Sequence, residues 1–242
     1  MEISAAYITK PGGRKHNEDY ADYLVYDGLG CYVVADGLGG HRKGDLASQT
    51  ACQSIISAFK QEPGSSADHM TEYLRTAGLA LENARLKVGL EDGVKTTLVL
   101  LLTGKESAIW AHLGDSRLYY FRNGKIFDQT KDHSLPQRLA DIGEISQDQI
   151  RSHEDGNRLL SVFDGPDISH FSRSCQPVSL SEGDAFLLCS DGFWDYVYEE
   201  EMERCYIQTS DPKSWLEKME SKLLSRVEPG HDNYTALAVR VN

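Results

Sequence analysis

Four carboxylates stand at the ends of apolar runs: Asp36 closes "YVVAD", Asp115 closes "WAHLGD", Asp191 closes "FLLCSD" and Asp232 precedes "NYTALAV". Each has Gly or Asn beside it, so another stretch of backbone can come close with no bulky neighbour in the way. Behind Asp36 the stretch "GLGGHRKG" puts four glycines in eight positions. Any one of these acids alone reads as a turn or helix-cap residue. If the strands that carry them meet, however, the four carboxylates repel one another, and such a cluster persists only around bound cations. Carboxylates and carbonyls with no matched His or Cys ligands suit hard, oxygen-preferring ions, magnesium or manganese more than zinc.

The elements that must position these acids are legible as periodic runs. Residues 31–36, 96–104, 108–115, 116–121, 184–191 and 233–241 are rich in β-branched, aromatic and Leu residues and are bounded by Gly, Asp or Asn, which predicts strands. A further strand-like segment follows "RKHNEDY" at 14–20. Asn123-Gly124, between two apolar runs, is a strong hairpin signal. Successive strands joined by hairpins favour antiparallel sheets over βαβ winding, hence an α+β class. Helical periodicity covers 44–61, where Leu46, Ala47, Ile55, Ala58 and Phe59 can share a face, and recurs at about 68–90 and 212–227. The polar stretch 130–156, with helix-like pieces around "SLPQRLADIG" and "SQDQIRSH", reads as an insertion over one face.

Bulk properties narrow the classes. The 242 residues suffice for one large domain, expected over 1–242, with a core that needs no staples. A net charge of −12 with no basic run argues against nucleic acid. No apolar run reaches the ~18 residues of a membrane span, and the N-terminus reads as mature sequence, so a cytoplasmic location without membrane association is expected. The five cysteines, odd in number and without a CxxC pair, read as free thiols in a reducing compartment.

An ordered set of short motifs resembles the metal-dependent serine/threonine phosphatases of the PP2C (PPM) family in their short bacterial form. The pieces are Arg14-Lys15-His16-Asn17-Glu18-Asp19, "VADGLGGHRKGDLAS", "KTTLV", "AHLGDSRLYYFRNG", "TKDHS", "GDAFLLCSDGFWD" and "DNYTALAV", spanning residues 14 to 239. The resemblance implies two packed antiparallel β-sheets flanked on both sides by α-helices, with 130–156 as the flap beside the active site. It further implies that Asp36 bridges two metal ions (Mn2+ or Mg2+), that the Gly37 carbonyl joins it on one, and that Asp191 and Asp232 hold the other. Asp115 resembles the ligand that bacterial members use for a more weakly held third ion. Glu18 and Asp19 are expected to contact metal-bound waters.

On the same resemblance Arg14 clamps the phosphate of the substrate, a task its planar fork suits better than Lys. Two such ions would lower the pKa of a shared water and hold it as hydroxide in line with phosphorus, so the resemblance requires no covalent phosphoenzyme. His41 is the candidate general acid for the leaving alkoxide, since imidazole titrates near working pH. His112, inside an apolar strand, reads as a core residue, and His133 as one that orders the start of the insertion. Two departures from the family pattern, Lys95 in place of a Gly and "NRLLSVFDG" at 157–165, are expected to alter local packing or substrate surroundings. The expected partners are a phosphorylated protein substrate and a cognate Ser/Thr kinase, with the chain a monomer. A kinase–phosphatase switch of a type VI secretion system is one setting that a compact member would fit. The alternatives are an inactive phosphatase-like scaffold and an esterase of small phosphate monoesters.

Overall fold

A computed structural model describes residues 2–39, 43–89, 93–174 and 176–242. The first half of the chain runs β1 (Ile3–Lys10), β2 (Asp19–Tyr26), β3 (Leu29–Leu38), α1 (Lys43–Gln61), α2 (Ala67–Val88), β4 (Lys95–Thr96), β5 (Leu98–Thr103), β6 (Ser107–Leu113), β7 (Arg117–Arg122) and β8 (Lys125–Gln129). The second half adds α3 (Leu135–Asp141), β9 (Ser172–Arg173), β10 (Val178–Ser179), β11 (Ala185–Cys189), α4 (Asp191–Trp194), α5 (Glu199–Ile207), α6 (Pro212–Leu224) and β12 (Tyr234–Val241).

These strands form two antiparallel sheets. One has the order β1-β12-β11-β7-β8; the other runs β10-β6-β5-β3-β2, with β4 beside β3 and β9 beside β6. Their facing sides pack Tyr32, Val34, Leu101, Leu118, Tyr120, Phe186, Leu188 and Leu237 into one apolar layer, with the Tyr120 and Phe186 rings stacked at 4.8 Å. The outer face of the second sheet is covered by α1 and α2 through Ala51, Ile55, Phe59, Leu74 and Leu81. The outer face of the first is covered by α5 and α6 through Met202, Trp215, Leu216 and Met219. The expected pair of sheets with helices on both outer faces is therefore present. Near-continuous apolar strands such as "LVLLLT" follow from burial on both faces.

Local chemistry sets the boundaries. Asn123 and Gly124 adopt φ of 53° and 76°, and Arg122 pairs with Lys125 across this tight turn. In α1 the buried positions include Ala47, Ile55 and Phe59, while Leu46 and Ala58 pack as partly buried flanks. The expected strand 96–104 is broken at Thr97, whose amide and hydroxyl turn away to bind the main chain of Asp36. Asp191, expected at a strand end, instead lies in the first turn of α4 after Ser190. Within the insertion, Ser134 caps α3 and a 3-10 turn spans Gln147–Gln149. Besides the two-residue strands β9 and β10, two longer elements escape sequence periodicity. β1 pairs with β12 over its whole length, from Ile3 opposite Val241 to Lys10 opposite Tyr234, and α5 begins with three consecutive acids.

Candidate active site

The acids gather where β3, β11 and β12 end side by side. Asp36, near the end of β3, lies directly across from Asp19 in the β2–β3 ladder. Its main chain is held from both sides: the Asp36 amide donates to Thr97 Oγ1 (2.9 Å), while Thr97 N–H (2.8 Å) and Thr96 Oγ1 (2.7 Å) donate to the Asp36 carbonyl. Thr97 Oγ1 is in turn 2.7 Å from Ser116 Oγ, beside Asp115. One short network thus fixes Asp36 relative to the β6–β7 turn. Gly37 is required by proximity, since a Cβ there would lie 1.9 Å from the Gly44 carbonyl oxygen at the start of α1.

Asp191 is placed by Ser190, which is fully buried; the Ser190 amide donates to the Thr235 carbonyl and the Thr235 amide to Ser190 Oγ, both at 3.0 Å. Ser190 Oγ then donates to Asp19 Oδ2 (2.6 Å). Asp115 is buried, its carbonyl accepting from Trp194 Nε1 at 2.9 Å. Asp232 is half exposed and accepts from Arg14 NH2 at 3.1 Å.

The electrostatics follow from that crowding. Burial, then the charges of Asp19, Asp191, Asp115 and Asp232, raise the Asp36 carboxyl well above the ordinary range. Burial and the Asp191 charge do the same to Asp115, and burial and the Asp232 charge raise Asp191. Asp19 is pushed to about 7 chiefly by burial, against the hydrogen bond from Ser190. Glu18 is raised by burial, Asp45 and Asp232, against the lowering influence of His16 and Arg14. Five neighbouring acids that destabilise one another's charged forms are a poor arrangement by themselves and a good one around divalent cations. Among the described residues no three acidic, His or Cys side chains are already drawn around one point as a closed cage. Magnesium-like ions ask for less, keeping several waters and taking one or two carboxylates each. The donor set, all carboxylates and backbone carbonyl, fits such ions and suits zinc poorly.

The structure brings Asp36, Gly37, Asp191, Asp232, Asp115, Glu18, Asp19 and Arg14 into one region. His41 lies outside the described residues. His112 is buried, its Nε2 2.8 Å from the Lys131 carbonyl, and its ring stacks on His133 at 4.7 Å. His133 orders the root of the insertion: its Nδ1 accepts from Gly114 N–H (3.2 Å) and its carbonyl from Leu160 N–H (2.8 Å). The divergent run 157–165 packs Phe163 beside Thr96 through a pair of backbone hydrogen bonds and against Phe171.

Asn233 escaped sequence reasoning. Buried beside Asp232, its Oδ1 accepts from Glu18 N–H (2.8 Å) and its Nδ2 donates to the carbonyls of Pro11 (2.8 Å) and His16 (2.9 Å). It thereby ties the loop carrying Arg14 to the strand carrying Asp232. An Asn after an acid at a strand start reads as turn chemistry, so nothing in the sequence separates it from a cap.

Residues 13–226 match the family "Protein phosphatase 2C". The serine/threonine phosphatase stp of Listeria welshimeri is 32% identical over 241 residues, covering 95% of this chain and 92% of that protein. PppA of Pseudomonas aeruginosa, described as a key regulatory component of its type VI secretion system, superposes with a TM-score of 0.78 at 29% identity, covering 99% of this chain and 98% of that one. The catalytic domain of the phosphatase PstP, solved in complex with two manganese ions, gives 0.83 at 26%, covering 98% and 97%. The chain belongs to the protein phosphatase 2C family and is a metal-dependent serine/threonine phosphatase by class.

Proposed function

We propose that this chain removes phosphate from phosphoserine and phosphothreonine on proteins, with Asp36, the Gly37 carbonyl, Asp191 and Asp232 holding two manganese or magnesium ions and Asp115 a third. The observation that carries the reading is the convergence of buried Asp19 and Asp115 with half-buried Asp36 and Asp191 at the meeting ends of the sheets, where each carboxyl is raised by desolvation and by the charge of neighbouring acids. When bound, the ions supply Lewis acidity toward the phosphoryl group and lower the pKa of water.

The residues of the chain do the rest. Asp36 is held by Thr96 and Thr97, so its carboxylate enters the site without reorganisation. Glu18 and Asp19 orient water from the floor, Asp19 itself being fixed by Ser190. Arg14, exposed at the mouth, offers a planar fork to the phosphoryl oxygens; its hydrogen bond to Asp232 keeps it aimed there between turnovers. His41 protonates the leaving alkoxide. The insertion, anchored through His133 to the turn before Asp115, shapes the side of the site where the substrate protein lies.

In the cell we place the chain in the cytoplasm as a monomer of one domain opposing a Ser/Thr kinase. The likeness to PppA supports a role in regulating type VI secretion. Among the described residues no helix is long and apolar enough to cross a membrane. The test is phosphate release from a phosphothreonine peptide by chelator-stripped protein with manganese or magnesium restored. Release with metal and none with excess chelator is the expected result; no release with either ion would leave the scaffold reading standing.

A further inference from the structure

The loop between β1 and β2 places Arg14, Lys15 and His16 consecutively and exposed at the mouth of the site. Together with Glu18, Asp232 and Asn233 they line a cleft of about 360 Å3. At ~30 Å3 per water this holds roughly a dozen waters, more room than one phosphoryl group fills. Only Arg14 is committed, to Asp232; among the described residues the Lys15 ammonium has no ion-pair partner. The arginines buried or half-buried elsewhere are paired where they stand, Arg117 with Asp132, Arg122 with Asp184, Arg151 with Glu199 and Arg226 with Glu201.

The loop is also held rigid. Gly13 N–H donates to the His231 carbonyl (2.9 Å), Arg14 N–H to the Pro11 carbonyl (3.0 Å), and Asn233 Nδ2 binds the carbonyls at both ends, Pro11 and His16. Cations on so fixed a loop lose little freedom when they meet an anion. Resting on the phosphatase reading above, we infer that Lys15 and His16 form a second anion subsite that selects substrates carrying another negative group, a carboxylate or a phosphate, next to the scissile phosphoresidue. Arg14 takes the phosphate that is removed; Lys15 and His16 take its neighbour. Such a subsite gives an otherwise acidic protein a local field that draws acidic segments of substrate toward the ions.

The experiment compares three phosphothreonine peptides on the full chain with manganese: neutral flanks, glutamate flanks, and a second phosphorylated residue beside the first. The wild type is expected to favour the anionic peptides in kcat/KM, and in Lys15→Gln combined with His16→Gln that preference ratio is expected to fall about fivefold, and less at high salt. Preference for both anionic peptides assigns the subsite to anions generally; preference for the doubly phosphorylated one alone assigns it to phosphate. A wild-type ratio near one, or a ratio the double variant leaves intact, overturns the inference. Should no peptide be turned over with either metal, the phosphatase reading fails instead. Equilibrium affinities of the same three peptides then decide the subsite, equal affinities overturning it.

Discussion

Asp36 carries the heaviest burden at the scale of the single residue, because it faces four other acids and its own main chain is bound by Thr96 and Thr97. Replacing its carboxylate by an amide keeps size and shape and removes the charge that would bridge two cations. For Asp36→Asn we expect turnover to fall about a thousandfold or more with circular dichroism unchanged, as befits loss of a central electrostatic contributor; ordinary activity in that variant would end the metal assignment. Arg14 lies at the mouth, half exposed and paired with Asp232; on the proposed reading it acts on substrate and not on metal. Arg14→Ala should raise KM several-fold, roughly the loss of one charge-assisted bidentate contact, with turnover persisting. A KM equal to wild type would remove the clamp.

At the scale of elements, the site depends on three segments distant in sequence being tied together: the β1–β2 loop, the break between β4 and β5, and the Ser190–Asp191 corner before α4. Asn233 makes three side-chain hydrogen bonds from a buried position to the first of these. Asn233→Ala removes three hydrogen bonds, leaving the Glu18 amide and the His16 carbonyl without partners while the Pro11 carbonyl keeps the Arg14 amide; at about 1 kcal/mol per bond it should cost about 3 kcal/mol in chemical denaturation. Because the loop it holds carries Arg14, the same variant should also raise KM. A second tie is the buried pair Arg117–Asp132, bidentate at 2.8 Å, with the guanidinium 3.4 Å over the Trp194 ring and Trp194 Nε1 bonded to the Asp115 carbonyl. The family's "GDSR" and "TKDHS" motifs therefore meet in space, one buttressing the other.

For the whole molecule, mutual repulsion among the site acids opposes folding when no cation is present, so metal binding and stability are linked. Manganese added to chelator-stripped protein should raise Tm by several degrees, and Asp36→Asn should blunt that rise; equal shifts in both would place the binding elsewhere. A separate pH dependence comes from His133, lowered from 6.5 to about 4 by burial and by the neighbouring His112. Its folded pKa lies below the unfolded one, so between pH 6.5 and about 4 the unfolded chain takes up a proton that the folded chain does not. Its stabilising contribution is present above pH 6.5 and is lost as pH falls through that window. Comparison of Tm from pH 7 to 4.5 should show a shallower decline in His133→Gln than in wild type, and parallel curves would contradict it.

Much of this protein was legible in the order of its residues. Alternation and apolar density marked most of the long strands, Asn123-Gly124 marked the hairpin, and the acids flanked by Gly or Asn marked the chemistry, because strand period, turn conformation and ligand hardness are local properties. β1 was hidden, since "ISAAYITK" sits at a sheet edge and owes its extended form to pairing with β12 at the other end of the chain. The acid-rich start of α5 hid a helix whose apolar side needs the sheet to declare itself. Asn233 and the Thr97 break were likewise silent, because a hydrogen bond between residues far apart in sequence leaves no periodic trace. Residue types and spacing determined which chemistry was available; the tertiary structure alone decided that Asp19, Asp36, Asp115, Asp191 and Asp232 share one space, since only long-range pairing of the sheets brings charges together against their own repulsion.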